Sequence, residues 1–183
     1  MSRRVLPSVL FALLVLASTT VYADNALDAT AAFERLSSLA GTWQGSPDTS
    51  ELGESHEGEA EPTATVVHEI EVSANGSVVM ETKNPGTDHE MINMYHLDGD
   101  ELVMTHYCAG GNQPTMKLDR AASTAERYVF DFTGGSNLDP EVDGHIHNAE
   151  LIFKGADKVE SRWGSYNAGK PAGVMVFHLA RSE

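Results

Sequence analysis

MINMYHLDGDELVMTHYCAGGNQPTMKL, residues 91 to 118, decides the fold. Two runs of strand-forming residues flank Asp98-Gly99-Asp100, a second turn follows at Gly110-Gly111-Asn112, and a third strand opens at Pro114. Asp-Gly between such runs signals a tight hairpin, because both residues tolerate the positive φ that short hairpin turns demand. The segment is therefore the centre of an antiparallel meander. It also carries Tyr95, His96, His106, Tyr107, the single cysteine Cys108, Asn112 and Gln113. That is more polar functionality than a purely structural hairpin needs.

The same reading extends outward. Upstream, Leu27 to Leu39 places Ala29, Phe33 and Leu36 on one face of a short helix. Gly41 to Gly45 is a first strand, and the acidic stretch Ser46 to Pro62 reads as a solvated loop. Thr63 to Ser73 alternates, with Val66, His68, Ile70 and Val72 on one face. Asn75-Gly76 turns the chain into Ser77 to Thr82, where the apolar Val78 and Met80 are expected to face inward.

Downstream, Arg127 to Thr133 aligns Tyr128, Phe130 and Phe132, and His145 to Lys154 aligns His145, His147, Ala149, Leu151 and Phe153. Val159 to Tyr166 and Ala172 to Arg181 complete the series, with Trp163 inside and Arg162 out. About ten short strands in an open sheet would leave two unpaired edges, which closure removes. The expected fold is all-β, a closed antiparallel up-and-down barrel of about 8–10 strands preceded by a short helix, with an interior wide enough for a small ligand.

Composition bounds the setting. Arg3 and Arg4, the apolar run Val5 to Ser18 and the small residues before Asp24 make residues 1–23 a signal peptide. That leaves 24–183 as one domain of an exported, periplasmic or secreted protein. The leader is too short and no later stretch is long enough for a membrane span. The chain carries 27 acidic and 12 basic residues, a net charge of −15 that becomes −17 once Arg3 and Arg4 are removed. Such a surface repels phosphate backbones, which argues against nucleic acid as a partner. Cys108 has no intrachain partner and is expected to be buried as a small apolar residue.

Three resemblances sharpen the picture. Leu39-Ala40-Gly41-Thr42-Trp43 after a short helix resembles the opening of lipocalin-like (calycin) barrels. That likeness implies that Trp43 plugs the closed end and Arg181 lies across its ring. Tyr95 to Met116 is similar to a group of exported bacterial proteins of unknown function sharing YHxDGDxLxxTHYCxxGNQPxM in a calycin-like barrel. Gly41-Thr42-Trp43-Gln44-Gly45 and Phe177-His178-Leu179 more loosely resemble nitrobindin-like haem barrels, which implies His178 as a haem ligand in an alternative reading; Pro47 departs from that family's third glycine.

The function expected from the residues is binding of a small, largely apolar molecule, with no catalytic residue, cofactor or metal assigned; the alternatives are a haem- or metal-binding barrel and an enzyme of the same fold using an inward histidine and tyrosine as acid and base. The candidate ligand-binding residues are His68, Tyr95, Met104, His106, Phe130, Phe132, His145 and His147. Alternation does not decide which faces of residues 91–97 and 101–108 point inward. His145-x-His147 has a spacing that suits two metal ligands, but no third ligand is evident in the sequence.

Overall fold

The computed structural model describes residues 26–52 and 65–182. The expected signal peptide and most of the acidic stretch 46–62 lie outside the described residues. A helix, α1 (Ala29–Ser37), precedes ten strands: β1 (Gly41–Asp48), β2 (Val66–Ser73), β3 (Val78–Lys83), β4 (Met91–Asp98), β5 (Glu101–Tyr107), β6 (Gln113–Leu118), β7 (Arg127–Ser136), β8 (His145–Phe153), β9 (Lys158–Asn167) and β10 (Lys170–Arg181). Each strand pairs antiparallel with the next, and β1 pairs with β10 to close the barrel. The central hairpin turns through Gly99-Asp100, with Asp98 opposite Glu101 and Gly99 at φ +64°. No helix among the described residues is long and apolar enough to cross a membrane.

Up-and-down winding puts alternate loops at opposite ends. The even-numbered hairpins, together with α1, gather at one end and close it. Asp28 caps α1 by accepting from the Ala31 N–H at 2.8 Å, and Ala29, Ala32, Phe33 and Leu36 turn toward the barrel. Beneath them Trp43 is 1 % exposed, and its Nε1–H donates to the Leu39 carbonyl at 2.8 Å. The Arg181 guanidinium lies 4.5 Å from the Trp43 ring centroid and donates to the carbonyls of Ala40 and Ser38. Arg181 therefore ties the last strand to the helix–β1 turn. Arg181→Met is expected to lower stability by about 1–2 kcal/mol, a lost cation–π contact plus two capping bonds, read as a shift in urea midpoint.

At Gly45 the strands β1 and β10 come so close that a Cβ would overlap the carbonyl oxygen of His178. Glycine there is a packing requirement of barrel closure.

The β3 strand departs from expectation. Its buried positions are Val79, Glu81 and Lys83, whereas Val78 and Met80 lie on the other face, half-buried. The apolar pair was the natural choice for the interior, but the alternate set has its charges compensated inside the barrel. Val72, also expected inward, is 42 % exposed at the end of β2.

Candidate functional site

The barrel interior is layered. Above the apolar plug sits a polar layer contributed by β2, β3, β4 and β5, the strands whose alternation brings His68, Glu81, Asn93, Tyr95 and His106 to the inside. All five are buried. Glu81 is the hub. Its Oε1 is 2.7 Å from His68 Nδ1, and its Oε2 accepts from Asn93 Nδ2 at 2.7 Å and from the Tyr95 hydroxyl at 3.0 Å. Asn93 Oδ1 in turn stands 2.7 Å from His106 Nδ1.

This wiring fixes protonation states. A carboxylate and an amide oxygen are acceptors, so both histidines carry their proton on Nδ1 and present a bare lone pair at Nε2. Neither Nε2 has a hydrogen-bond partner within the described protein, and both are fully buried. Burial drives the pKa of His68 down against the pull of Glu81, and burial with the charge of Lys83 takes His106 down to about 3. Burial pushes the Glu81 carboxyl up, but the hydrogen bond and charge of His68, the charge of Lys83 and the bond from Asn93 outweigh it, taking Glu81 down to about 2. Burial and Glu81 hold the Tyr95 phenol protonated, as its donated bond requires.

Lys83 lies next along β3, toward the open end. Its Nζ sits 3.6 Å from the Trp163 ring centroid and 4.8 Å from that of Phe177. No carboxylate lies within ion-pair distance of it among the described residues. Burial drives the ammonium down to about 8, against the opposing charges of Glu81 and Cys108. Trp163 is held in turn by its Nε1–H donating to Ser161 Oγ at 2.6 Å.

Above Lys83 the barrel opens into a cavity of about 560 Å³. Lys83, His106 and Trp163 floor it, Val66, Met91, Met175 and Phe177 supply apolar wall, and His89, Cys108, His145 and Tyr166 stand nearer the loops. Its volume falls within the range of small-molecule sites. A second void of about 20 Å³, room for roughly one water, lies under α1 between Glu81, Tyr95, Ser161 and Leu36.

Of the residues singled out from sequence, His68, Tyr95, Met104, His106 and Phe130 are buried in the barrel. The open question about β4 and β5 is decided in favour of Asn93 and Tyr95, and of Leu102, Met104 and His106, while Tyr107 is 45 % exposed. Phe132, His145 and His147 form a separate cluster at the rim. A register shift between Ile146 and Asn148 breaks the expected alternation, so Ile146 also lines the cavity. His147 stacks on Tyr166 at 3.8 Å and on Phe132 at 4.8 Å, and its Nδ1 is 3.0 Å from His145 Nε2. The two imidazoles bond each other, and among the described residues no third ligand converges on them.

His178 stands on the outer face of β10, its side chain 52 % exposed, near Asp48 and Glu160. It faces away from the cavity because its neighbours Phe177 and Leu179 take the inward positions, so a haem inside the barrel receives no ligand from it. Cys108 is half-buried on the cavity wall rather than packed in the core. In the Gly110-Gly111-Asn112 turn Gly111 takes the positive φ, at +89°, and Asn112 Nδ2 donates to the Gly144 carbonyl, joining two rim loops. Glu81, Lys83 and Asn93 were not anticipated. The available signal was the period-two set Val79, Glu81, Lys83, which apolar content argued against.

No family model matches the sequence, and no curated protein matches it. Among solved structures, the chain is similar to a protein of unknown function of the DUF3598 family from Nostoc punctiforme PCC 73102, with 13% identity and a TM-score of 0.51. This likeness shows the fold alone. It covers 91% of this chain and 54% of that one, so the chain spans about half the length of that structure. Rv2717c from M. tuberculosis is also similar, with 14% identity, a TM-score of 0.47, and 83% and 98% of the two chains covered. A closed barrel with a cavity at one end has the form of a ligand-binding protein.

Proposed function

We propose that this is an exported binding protein that takes one small, largely apolar molecule through the open end of the barrel, its polar end reaching Lys83. The observation that carries the reading is the cavity of about 560 Å³ with the buried cation of Lys83 at its floor beneath apolar walls. A buried ammonium with few acceptors is costly. A ligand oxygen that accepts from Lys83 reduces that cost, and a hydroxyl is the simplest such group. Met91, Met175 and Phe177 offer an adaptable surface to the apolar remainder. His68, Tyr95, Met104 and Phe130 hold the floor in place from below, and Phe132, His145 and His147 shape the rim.

The test is a titration with decanol, following the emission of Trp163 at the cavity floor; Trp43, the other tryptophan, is sealed at the closed end. Saturable quenching is expected, and Met175→Arg, which sets a charge on the apolar wall, weakens binding by about tenfold or more, about 1.4 kcal/mol. If decanol leaves emission unchanged and solvent extraction of the purified protein yields no bound molecule, the reading fails.

A further inference from the structure

We propose that Lys83 is a nucleophile that captures an apolar aldehyde as a reversible imine. The inference rests on the cavity being the ligand site and adds the class of molecule and the bond it forms.

Lys83 differs from the surface lysines in its surroundings. Lys117 pairs with Glu101 and Lys154 with Glu160 at the surface. Lys83 is 2 % exposed, faces the cavity and rests on two aromatic rings without an anionic partner at ion-pair distance among the described residues. Removing an ammonium from water in this way raises the share of free amine near neutral pH, the usual route to a reactive lysine. The lowered pKa of Lys83 agrees with the geometry.

A carboxylate fits this floor less well than a carbonyl. The nearby Glu81 carboxylate already offsets the charge of Lys83 and repels a second carboxylate brought to the same amine. An aldehyde brings no charge, and its apolar chain is suited to the Met91, Met175 and Phe177 wall.

The reaction balances without an oxidant or reductant. The free amine of Lys83 forms a C–N bond to the carbonyl carbon while the carbonyl π pair moves to oxygen. One Nζ proton passes to that oxygen through water in the cavity, giving a carbinolamine. The nitrogen lone pair then expels the oxygen as water, which takes up the proton that the Lys83 ammonium released to solvent on becoming a free amine, and a protonated imine remains. In net terms, an aldehyde and the Lys83 ammonium give an iminium and one water. The positive charge stays on nitrogen throughout the net exchange, so the Trp163 and Phe177 faces and the Glu81 carboxylate suit product and reactant alike.

The experiment incubates the purified protein with decanal and sodium cyanoborohydride near neutral pH and maps the reduced adducts by peptide mass spectrometry. Lys83 is expected to be decylated about tenfold or more faster than Lys117, Lys154, Lys158 and Lys170. Excess decanol should compete. Lys83→Met should abolish the fast adduct. Labelling of Lys83 no faster than the surface lysines, with decanol still quenching Trp163, overturns the imine and leaves the binding reading intact. Absence of both signals overturns the binding reading as well.

Discussion

Glu81→Ala is expected to lower stability by about 3–5 kcal/mol at neutral pH, with little change in the urea m-value. The carboxylate accepts from His68, Asn93 and Tyr95 and offsets the buried charge of Lys83. Truncation leaves three buried donors without an acceptor and a cation without its compensating anion. Each stranded group costs about 1–3 kcal/mol, though local relaxation and entering water keep the sum below simple addition. For a single domain of this size the change corresponds to a fall in Tm on the order of 10 °C. The double variant Glu81→Ala, Lys83→Met should recover part of the loss, because it removes the cation along with the anion that balanced it. A cost for Glu81→Ala below about 1 kcal/mol, or no coupling in the double-mutant cycle, would mean that the polar layer does not stand as described.

What the sequence reveals and conceals about this site follows from the same chemistry. The strands were legible because their boundaries are local. Asp98-Gly99, Asn75-Gly76 and the apolar alternation from Tyr128 to Phe132 are each decided by neighbouring residues, and closure then follows from the cost of open edges. Trp43 and Arg181 were brought together by a family likeness, and the 4.5 Å contact bears it out. The inward face of β3 was concealed because alternation assigns charges to solvent, a sound rule since Glu and Lys are seldom buried unless compensated. Glu81 and Lys83 obey the exception, and their partners come from the neighbouring strands β2 and β4 and from β9 and β10, far away in sequence. The bulge at His147 was equally hidden. Nothing in Ile146-His147-Asn148 marks an extra residue, and one shift of register moves Ile146 into the cavity.

Below pH 6.5 the protein is expected to lose stability steadily, and His106→Asn should flatten that slope. The folded His106 titrates at about 3, held down by burial and by Lys83, against 6.5 for the exposed side chain. Its folded pKa is depressed, so between these values the unfolded chain binds a proton that the folded protein refuses. The His106 contribution is then full above pH 6.5 and falls as pH drops toward 3, by at most about 1.4 kcal/mol per unit and roughly 5 kcal/mol in all. His68, lowered by the same burial, adds a term of the same sign. Glu81 joins only below its ordinary value of 4.5, where the unfolded carboxyl protonates and the folded one does not until about 2. On the alkaline side, Lys83 is lowered from 10.5 to about 8, so the unfolded chain holds the extra proton and stability rises with pH across that interval. Urea midpoints measured from acid to alkaline pH should therefore climb to about pH 6.5, level through neutrality and climb again above about pH 8. His106→Asn should remove about one proton's worth of slope between pH 6 and 4. Parallel slopes in the two proteins would show that His106 protonates freely in the folded state, and the fixed Nδ1–H and bare Nε2 would have to be abandoned together.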